Sequence, residues 1–201
     1  MISEKDELFN LIQTKAVIYG HKVLASGKLS HYYIDGKQVT LDARGAFLIG
    51  RCLLDLIRSN RPDAVGGPTL GADPIVGALL AEAGRQGILL HGFIVRKEAK
   101  DHGTSKLVEG PVFKSGARVA LVEDVITTGK SSYEIINIVE QNGARVVAIA
   151  SVVDRSDGAA IFQQPFYSLL KMNIKTYKPE ECPLCREGRT PLTKPGSRGL
   201  K

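Results

Sequence analysis

The chain has 201 residues, of which 43% are hydrophobic and 24% are charged, so it can bury one full core, and its longest apolar runs reach about half of the roughly 18 residues that span a bilayer. Most of its net charge of +6 comes from residues 186–201, which contain five basic residues and one acidic residue, Glu187. Because no aromatic residues are interleaved with them, this basic end does not indicate a nucleic-acid partner. The acidic start MISEKDELFN is unlike a signal peptide, and three cysteines form no even disulfide framework, so we expect a cytoplasmic protein without a membrane segment.

The first predicted elements are two helices. Ser3 and Asp6 have the spacing of a capping box, and apolar residues then recur at helical spacing up to Ala16. Asp42 caps a second helix that ends before Pro62. The side chains predicted to be buried on this second helix are Phe47, Ile49, Cys52, Leu53, Leu56 and Ile57.

From residue 63 onward, strand-like and helix-like segments alternate. These segments are DAVGG (63–67), PIVGALLAEAG (74–84), ILLHGFIV (88–95), RVALVEDV (118–125), SSYEIINIVEQNG (131–143) and RVVAIASVVD (145–154). Runs such as VVAIA are apolar without alternation, which is typical of parallel strands covered on both faces by helices. We therefore predict an α/β fold with a doubly wound, mainly parallel sheet and helices on both faces, in which the loops at the carboxyl ends of the strands share one cleft.

The last part of the chain has a different composition. After about Lys178 it is rich in Pro, Gly and charge and loses its periodicity, so we divide the chain into a domain, residues 1–178, and a basic tail, residues 179–201. The tail contains CPLC (182–185), which is half of a tetrahedral zinc site. Because the four histidines are remote from it in sequence, we interpret it as an unmetallated turn, and the alternative is a site completed by another chain.

The segment VALVEDVITTGKSS (119–132) carries a signal for anion binding. A P-loop would need a glycine at Asp124, so this is not a nucleotide-kinase motif. The backbone N–H groups of residues 127–131 and the helix that follows can instead hold a phosphate. Glu123 and Asp124 can accept hydrogen bonds from the two vicinal hydroxyls of a ribose, or contact them through hydrated Mg²⁺. The alternative is that the two acids only cap the turn.

Within this segment, VEDVITTGKS resembles the 5-phosphoribosyl 1-diphosphate (PRPP) signature of the type I phosphoribosyltransferases. Three further stretches are similar to the orotate phosphoribosyltransferases of that family, in the same order: SGKLSHYYIDGK (26–37), RKEAKDHG (96–103) and SVVDRSDGA (151–159). The resemblance implies a type I phosphoribosyltransferase fold with a small N-terminal hood. It also implies Mg²⁺-dependent transfer of the 5-phosphoribosyl group from PRPP to orotate, giving orotidine 5′-monophosphate and pyrophosphate in pyrimidine (UMP) biosynthesis.

The resemblance further implies roles for individual residues. Lys100 and Asp124 are implied as catalytic, and Glu123 and Asp124 as the residues near Mg²⁺, held indirectly or through PRPP. The implied orotate contacts are Thr127, Arg155, Tyr32 and Tyr33. The implied PRPP contacts are Arg96, Lys97, Lys100, His102, Glu123, Asp124, Val125, Ile126, Thr127, Thr128, Gly129, Lys130 and Ser131. A homodimer with shared active sites is also implied, in which Lys97 and Lys100 serve the neighbouring cleft.

The residues themselves leave plainer interpretations open. The basic loop that begins at Arg96 could be a solvated surface, Arg155 a surface cation or the partner of Asp154, and the two tyrosines strand core. Against this, cations that close over a leaving pyrophosphate stabilise the charge that it gains in the transition state. A planar guanidinium likewise suits bidentate contact with a carboxylate such as that of orotate.

Two positions depart from the pattern of the resembled family. Ala25 and Gly71 stand where some members have a lysine, so two accessory cations are absent. The competing functions are a phosphoribosyltransferase for another base, such as a purine or uracil, and a regulatory protein that binds PRPP without turnover. The complete basic loop favours an enzyme, and Arg155 favours a base that bears a carboxylate.

Overall fold

The computed structural model describes residues 2–23, 29–96, 107–111, 113–172 and 176–188. The helices are α1 Glu4–Leu11, α2 Lys37–Thr40, α3 Ala43–Ile57, α4 Asp73–Arg85, α5 Lys130–Gln141 and α6 Pro183–Glu187. The strands are β1 Val17–Val23, β2 Leu29–Ile34, β3 Ala64–Pro68, β4 His91–Val95, β5 Val108–Glu109, β6 Arg118–Ile126, β7 Arg145–Asp154, β8 Phe166–Lys171 and β9 Thr176–Tyr177. A π-helical turn, Ile12–Ala16, and two 3-10 turns, Arg58–Asn60 and Pro179–Glu181, complete the regular structure of these residues. Over the same residues, no helix is both long and apolar enough to cross a membrane.

The main sheet has six strands in the order β5-β4-β3-β6-β7-β8. Neighbouring strands from β4 to β8 are parallel, and the short β5 runs antiparallel to β4. This arrangement confirms the predicted doubly wound, mainly parallel sheet. The carboxyl ends of β3, β4, β6 and β7 therefore lie along one edge, which is where such a sheet binds its ligands.

Alternate residues of β6 enter two hydrophobic cores. Val119 and Leu121 belong to the core that includes Ile135 of α5, whereas Ala120 and Val122 belong to the core under α3 and α4. Since successive side chains of a strand point to opposite faces, the apolar run without alternation reflects burial on both faces. Each of the larger side chains stabilises the fold by about 1.5–3 kcal/mol when it leaves water.

Both helices predicted near the N-terminal end are present. Ser3 caps α1 by accepting a hydrogen bond from the N–H of Asp6 at 3.1 Å. Asp42 caps α3 by accepting one from the N–H of Gly45 at 2.9 Å. The apolar residues predicted on α3 are buried or partly buried with one exception. Phe47 is 41% exposed, so its predicted burial is wrong; the guanidinium groups of two flanking arginines lie over its ring instead.

A second, smaller sheet forms the hood at the N-terminal end. β1 and β2 pair antiparallel, and β9 joins the other edge of β2. The helical pattern of the first residues does not indicate β1. Residues 179–187 of the predicted tail add a 3-10 turn and α6, and the division at residue 178 stays a prediction. The CPLC segment is remote from every histidine along the sequence but not in space, because His21 of β1 lies beside Cys182 and Cys185.

Candidate active site

Several predicted site residues meet at the carboxyl ends of β6 and β7, beside β2. Asp124 lies near the end of β6, Arg155 directly follows β7, and Tyr32 and Tyr33 lie in β2. Burial raises the pKa of the Tyr33 hydroxyl, and the charges of Asp124 and Arg155 both act on it. Side chains from three elements therefore face the same cleft.

The two acids of the predicted pair have different surroundings. Glu123 is 8% exposed, and its Oε1 accepts a hydrogen bond from the Ser132 hydroxyl of α5 at 2.5 Å. Asp124 is partly exposed, and its Oδ1 accepts one from the N–H of Val125 at 2.8 Å. Glu123 shares with Leu121 the face of β6 that is turned to α5, and alternation places Asp124 on the opposite face. Glu123 thus ties β6 to α5, whereas Asp124 is open to the cleft.

Two glycines close around the Asp124 carboxylate. A Cβ on Gly71 would lie 2.7 Å from Asp124 Oδ1, and a Cβ on Gly36 would lie 3.1 Å from Asp124 Cβ. A side chain at Gly71 would therefore require the Asp124 carboxylate to move. Gly71 is one of the two positions where some members of the resembled family have lysine. Burial raises the pKa of Asp124, against the opposing effects of the Val125 N–H and Lys37.

Lys37 is a site residue that the sequence analysis did not single out. Its Nζ forms a salt bridge with Asp35 Oδ1 at 2.7 Å. Hydrogen bonding to Asp35 raises the pKa of Lys37, and the charges of Tyr33 and Asp124 act in the same direction. Its signal in the sequence is the last letter of SGKLSHYYIDGK, a few residues past the aromatic pair. Lys37 therefore supplies a cation to the cleft from the hood side.

Arg155 is fixed by its backbone and retains an unpaired side-chain nitrogen. Its N–H donates to the carbonyl of Ile126 at 2.8 Å. Its Nε is buried without a hydrogen-bond partner, and burial lowers the pKa of the guanidinium. No ion pair joins it to Asp154, a neighbour that the structure also describes; the Asp154 carboxylate accepts a hydrogen bond from the N–H of Ser156 at 2.8 Å. A partly buried guanidinium with an unpaired N–H is suited to an anionic ligand.

The turn that precedes α5 has the form expected of a phosphate site. Gly129 has a φ of +74°, and a Cβ there would lie 2.9 Å from the Phe162 ring, so a side chain at this position would be strained. Thr127 and Thr128 are exposed, and the N–H of Lys130 donates to Thr128 Oγ1 at 3.4 Å. The N-terminal end of a helix such as α5 carries partial positive charge and can hold an anion such as phosphate. The other predicted PRPP residues of the segment are partly or fully buried in β6 (Val125, Ile126) or exposed in the first turn of α5 (Lys130, Ser131).

The basic loop is described only at its two ends. Arg96 follows β4, and its Nη1 lies 3.5 Å from Glu109 Oε1. This places Arg96 on the same edge of the sheet as the ends of β6 and β7. Lys97, Lys100 and His102 lie outside the described residues, so their roles stay predictions.

A cavity at the other end of the sheet does not coincide with these residues. It measures about 410 Å³ and lies at the amino ends of β3 and β4, with His91 and Phe113 in its wall. None of the predicted site residues lines it. In this fold the carboxyl ends of the strands, rather than the size of a cavity, locate the candidate site.

Several known proteins are similar to this chain. The phosphoribosyl transferase domain family matches residues 37–183. The orotate phosphoribosyltransferase of Streptomyces coelicolor is 46% identical over 159 residues, which cover 79% of this chain and 87% of that protein. The orotate phosphoribosyltransferase of Thermotoga maritima is 38% identical over 191 residues, covering 95% and 97% respectively. The crystal structure of the Mycobacterium tuberculosis orotate phosphoribosyltransferase in complex with PRPP is 35% identical, with a TM-score of 0.70 over 84% of this chain and 96% of that chain.

Proposed function

This chain belongs to the phosphoribosyl transferase domain family and, within it, to the orotate phosphoribosyltransferases, and we therefore propose that it transfers the 5-phosphoribosyl group of PRPP to orotate. The products are orotidine 5′-monophosphate and pyrophosphate, in pyrimidine biosynthesis. The observation that carries the assignment of orotate is the buried, unpaired Nε of Arg155 beside Tyr32 and Tyr33.

Orotate combines a flat ring with a carboxylate, and the cleft offers a partner for each part. The guanidinium of Arg155 can donate two parallel N–H bonds to the carboxylate. Tyr32 and Tyr33 lie close enough to Arg155 to influence its pKa, so a base held by Arg155 can pack on one of their rings. The exposed hydroxyl of Thr127 completes the proposed contacts.

PRPP is anionic at its 5′-phosphate and polyhydroxylic in its ribose. We assign the phosphate to the turn of residues 127–131 at the N-terminal end of α5. We assign the ribose hydroxyls to Asp124, the acid that faces the cleft. Glu123, the second acid of the predicted pair, supports the site from behind through its hydrogen bond to Ser132.

The donor set of the cleft fits Mg²⁺. Mg²⁺ prefers oxygen ligands, usually one or two carboxylates together with substrate oxygens and water, and Asp124 is a carboxylate whose pKa is raised by burial, so a cation beside it would relieve the cost of its charge. Asp124 would hold the ion, together with PRPP. The ion would supply charge neutralisation for the phosphates of PRPP.

The reaction joins a base nitrogen to the anomeric carbon of the ribose while the bond from that carbon to pyrophosphate breaks. No protein nucleophile is needed. The chain instead aligns the two substrates, because Arg155 and the tyrosines hold the base while Asp124 and the turn hold the ribose and its phosphate. Alignment of this kind lowers a barrier by about 7–11 kcal/mol at best. Lys37 and Arg96 add positive charge near the departing pyrophosphate.

We also propose the homodimer with shared active sites. Its support is the family resemblance of the basic loop, in which Lys97 and Lys100 would cross to the neighbouring cleft. The two ends of that loop lie side by side, because β4 pairs with β5 and Arg96 lies 3.5 Å from Glu109. The cytoplasmic location stays a prediction.

A spectrophotometric assay tests the proposed function. Loss of the orotate absorbance should require the protein, PRPP and Mg²⁺ together, and each component is omitted in turn as a control. Uracil, adenine and hypoxanthine, which lack the carboxylate, should not be consumed. Turnover of one of these bases in place of orotate would assign the enzyme to that base, and PRPP binding without turnover of any base would make the protein a sensor.

A further inference from the structure

His21, Cys182 and Cys185 form a cluster that the phosphoribosyl transfer does not use. His21 Nε2 lies 3.4 Å from the Sγ of Cys182 and 3.4 Å from the Sγ of Cys185. The three ligand atoms all lie within 4.8 Å of one another. We propose that these residues bind a Zn²⁺ ion that fastens the C-terminal segment to the hood, a proposal independent of the proposed catalytic function.

The spacing of the three atoms suits zinc. Zinc binds thiolate sulfur at about 2.3 Å and imidazole nitrogen at about 2.0–2.1 Å in a tetrahedron. A sulfur and a nitrogen bound to one such ion are then about 3.6 Å apart, and the cluster has 3.4 Å for both pairs. A movement of a few tenths of an ångström would therefore seat the ion.

The local backbone directs each ligand into the cluster. The register of β1 with β2 shifts between Tyr19 and Lys22, and Gly20 within this stretch has a φ of +128°. Such a shift re-aims side chains, and His21, the residue after Gly20, is only 4% exposed. On the other side, Cys182 immediately precedes α6 and Cys185 lies within it, so one helical turn places both thiols on the same side.

Burial and charge favour a metal over three unmetallated side chains. Cys182 is 0% exposed, while Cys185 is exposed, which provides a path for the ion to enter. Two thiolates and a neutral imidazole balance the charge of Zn²⁺, so the bound site carries no net charge into the interior. Binding therefore releases the two thiol protons to solvent. Within the described ranges no fourth His, Cys, Asp or Glu joins the cluster, and we assign the fourth position to a solvent ligand.

The ligand types separate this site from the proposed Mg²⁺ site. Thiolate sulfur and imidazole select Zn²⁺ over Mg²⁺, which prefers oxygen. The ion would link β1 to α6, next to the pairing of β9 with β2. Two connections would then hold the C-terminal segment on the hood sheet that carries Tyr32 and Tyr33.

Metal analysis of the purified protein tests the proposal. The protein is produced in medium supplemented with zinc, any histidine tag is removed, and thiols are kept reduced with a phosphine. Plasma mass spectrometry should find close to one zinc per chain. The double variant Cys182→Ser/Cys185→Ser should contain about one tenth of that zinc or less, because a single imidazole binds zinc weakly. Cys52→Ser should contain as much zinc as the wild type. His21→Gln should weaken binding of added Zn²⁺, and His91→Gln should not.

A second readout does not depend on how well the variants fold. Metal-free wild-type protein titrated with Co²⁺ should develop a thiolate-to-cobalt charge-transfer band together with the visible bands of tetrahedral cobalt, and Zn²⁺ should abolish both. Zn²⁺ at a hundredfold excess over its Kd should raise the Tm by roughly 5–10 °C. Reduced wild-type protein that retains no zinc and gives no charge-transfer band would overturn the proposal. A Cys182–Cys185 disulfide that persists in the presence of Zn²⁺ and reductant, or equal zinc in the double cysteine variant, would overturn it as well.

Discussion

Replacing Arg155 by lysine keeps the positive charge of the cleft and removes the planar fork. The buried Nε of Arg155 has no partner in the protein. In the proposed complex the guanidinium donates two parallel hydrogen bonds to the orotate carboxylate, whereas a lysine can supply one in that direction. A hydrogen bond to a charged group contributes about 1.5–3 kcal/mol. Its loss corresponds to a rise in the KM for orotate of roughly 10- to 150-fold, since each 1.4 kcal/mol is about a factor of ten. The KM for PRPP should stay close to the wild-type value.

Initial rates at varied orotate and fixed saturating PRPP, and the reverse, measure the two constants. Equilibrium binding of orotate checks that the change in KM is a change in affinity. Arg145→Lys is the matched control, because Arg145 is exposed at the opposite end of the same strand, β7, and both constants should remain unchanged. An equal rise in both constants for Arg155→Lys, or no rise in either, would refute the assignment of Arg155 to the orotate carboxylate.

Four further predictions concern the acid of the cleft, the shared site and stability. Asp124→Asn should lower kcat/KM for PRPP by about 100-fold or more and leave the circular dichroism spectrum unchanged. The rate of the wild-type protein should fall as the pH is lowered through the pKa of Asp124, which lies above the usual aspartate range, and Asp124→Asn should lack this pH dependence. Inactive Lys100→Ala protein mixed with inactive Asp124→Asn protein should regain activity on subunit exchange, whereas mixtures that stay inactive despite proven exchange would place Lys100 in the site of its own chain. Gly129→Ala should lower the free energy of unfolding in urea by about 1 kcal/mol or more, because its φ of +74° and the Phe162 ring, 2.9 Å from the position that a Cβ would occupy, both oppose a side chain; an unchanged urea midpoint would contradict this. Hydrogen bonding to Arg85 lowers the pKa of Glu82 to about 2 from its ordinary value of 4.5. The contribution of this group to the free energy of unfolding is therefore complete above pH 4.5 and is lost as the pH falls toward 2. In urea unfolding, Glu82→Gln should lose less stability than the wild type over that range.

The main sheet could be predicted because its signals are local. The apolar runs of β6 and β7, and the cap at Asp42, each depend on residues that are close together in the sequence. A pattern along the chain therefore reveals them. The exposure of Phe47 could not be predicted in the same way, since its ring lies under two arginine side chains and not against another element of the core. Helical spacing shows which residues share a face and not what covers that face.

The different surroundings of Glu123 and Asp124 could be predicted from their position in a strand. Successive residues of a strand point to opposite faces, so Glu123 and Asp124 of β6 are expected to have different surroundings. Lys37 and His21 are different, because their partners depend on which distant segments meet. His21 and Cys182 are separated by 161 residues, and no local pattern specifies that contact.

The hood joins two strands that are made before the main sheet to one strand that is made after it. β1 and β2 are made before the strands of the main sheet, whereas β9, which pairs with Leu29 and Ser30 of β2, is made after them. Strands β3 to β8 can pack on their helices in the meantime, since all of these strands lie before residue 172. A nascent or truncated chain that stops before residue 176 leaves one edge of β2 with unpaired N–H and C=O groups. Such an edge pairs readily with other chains, so C-terminal truncation should favour aggregation during synthesis even where the transferase core is complete.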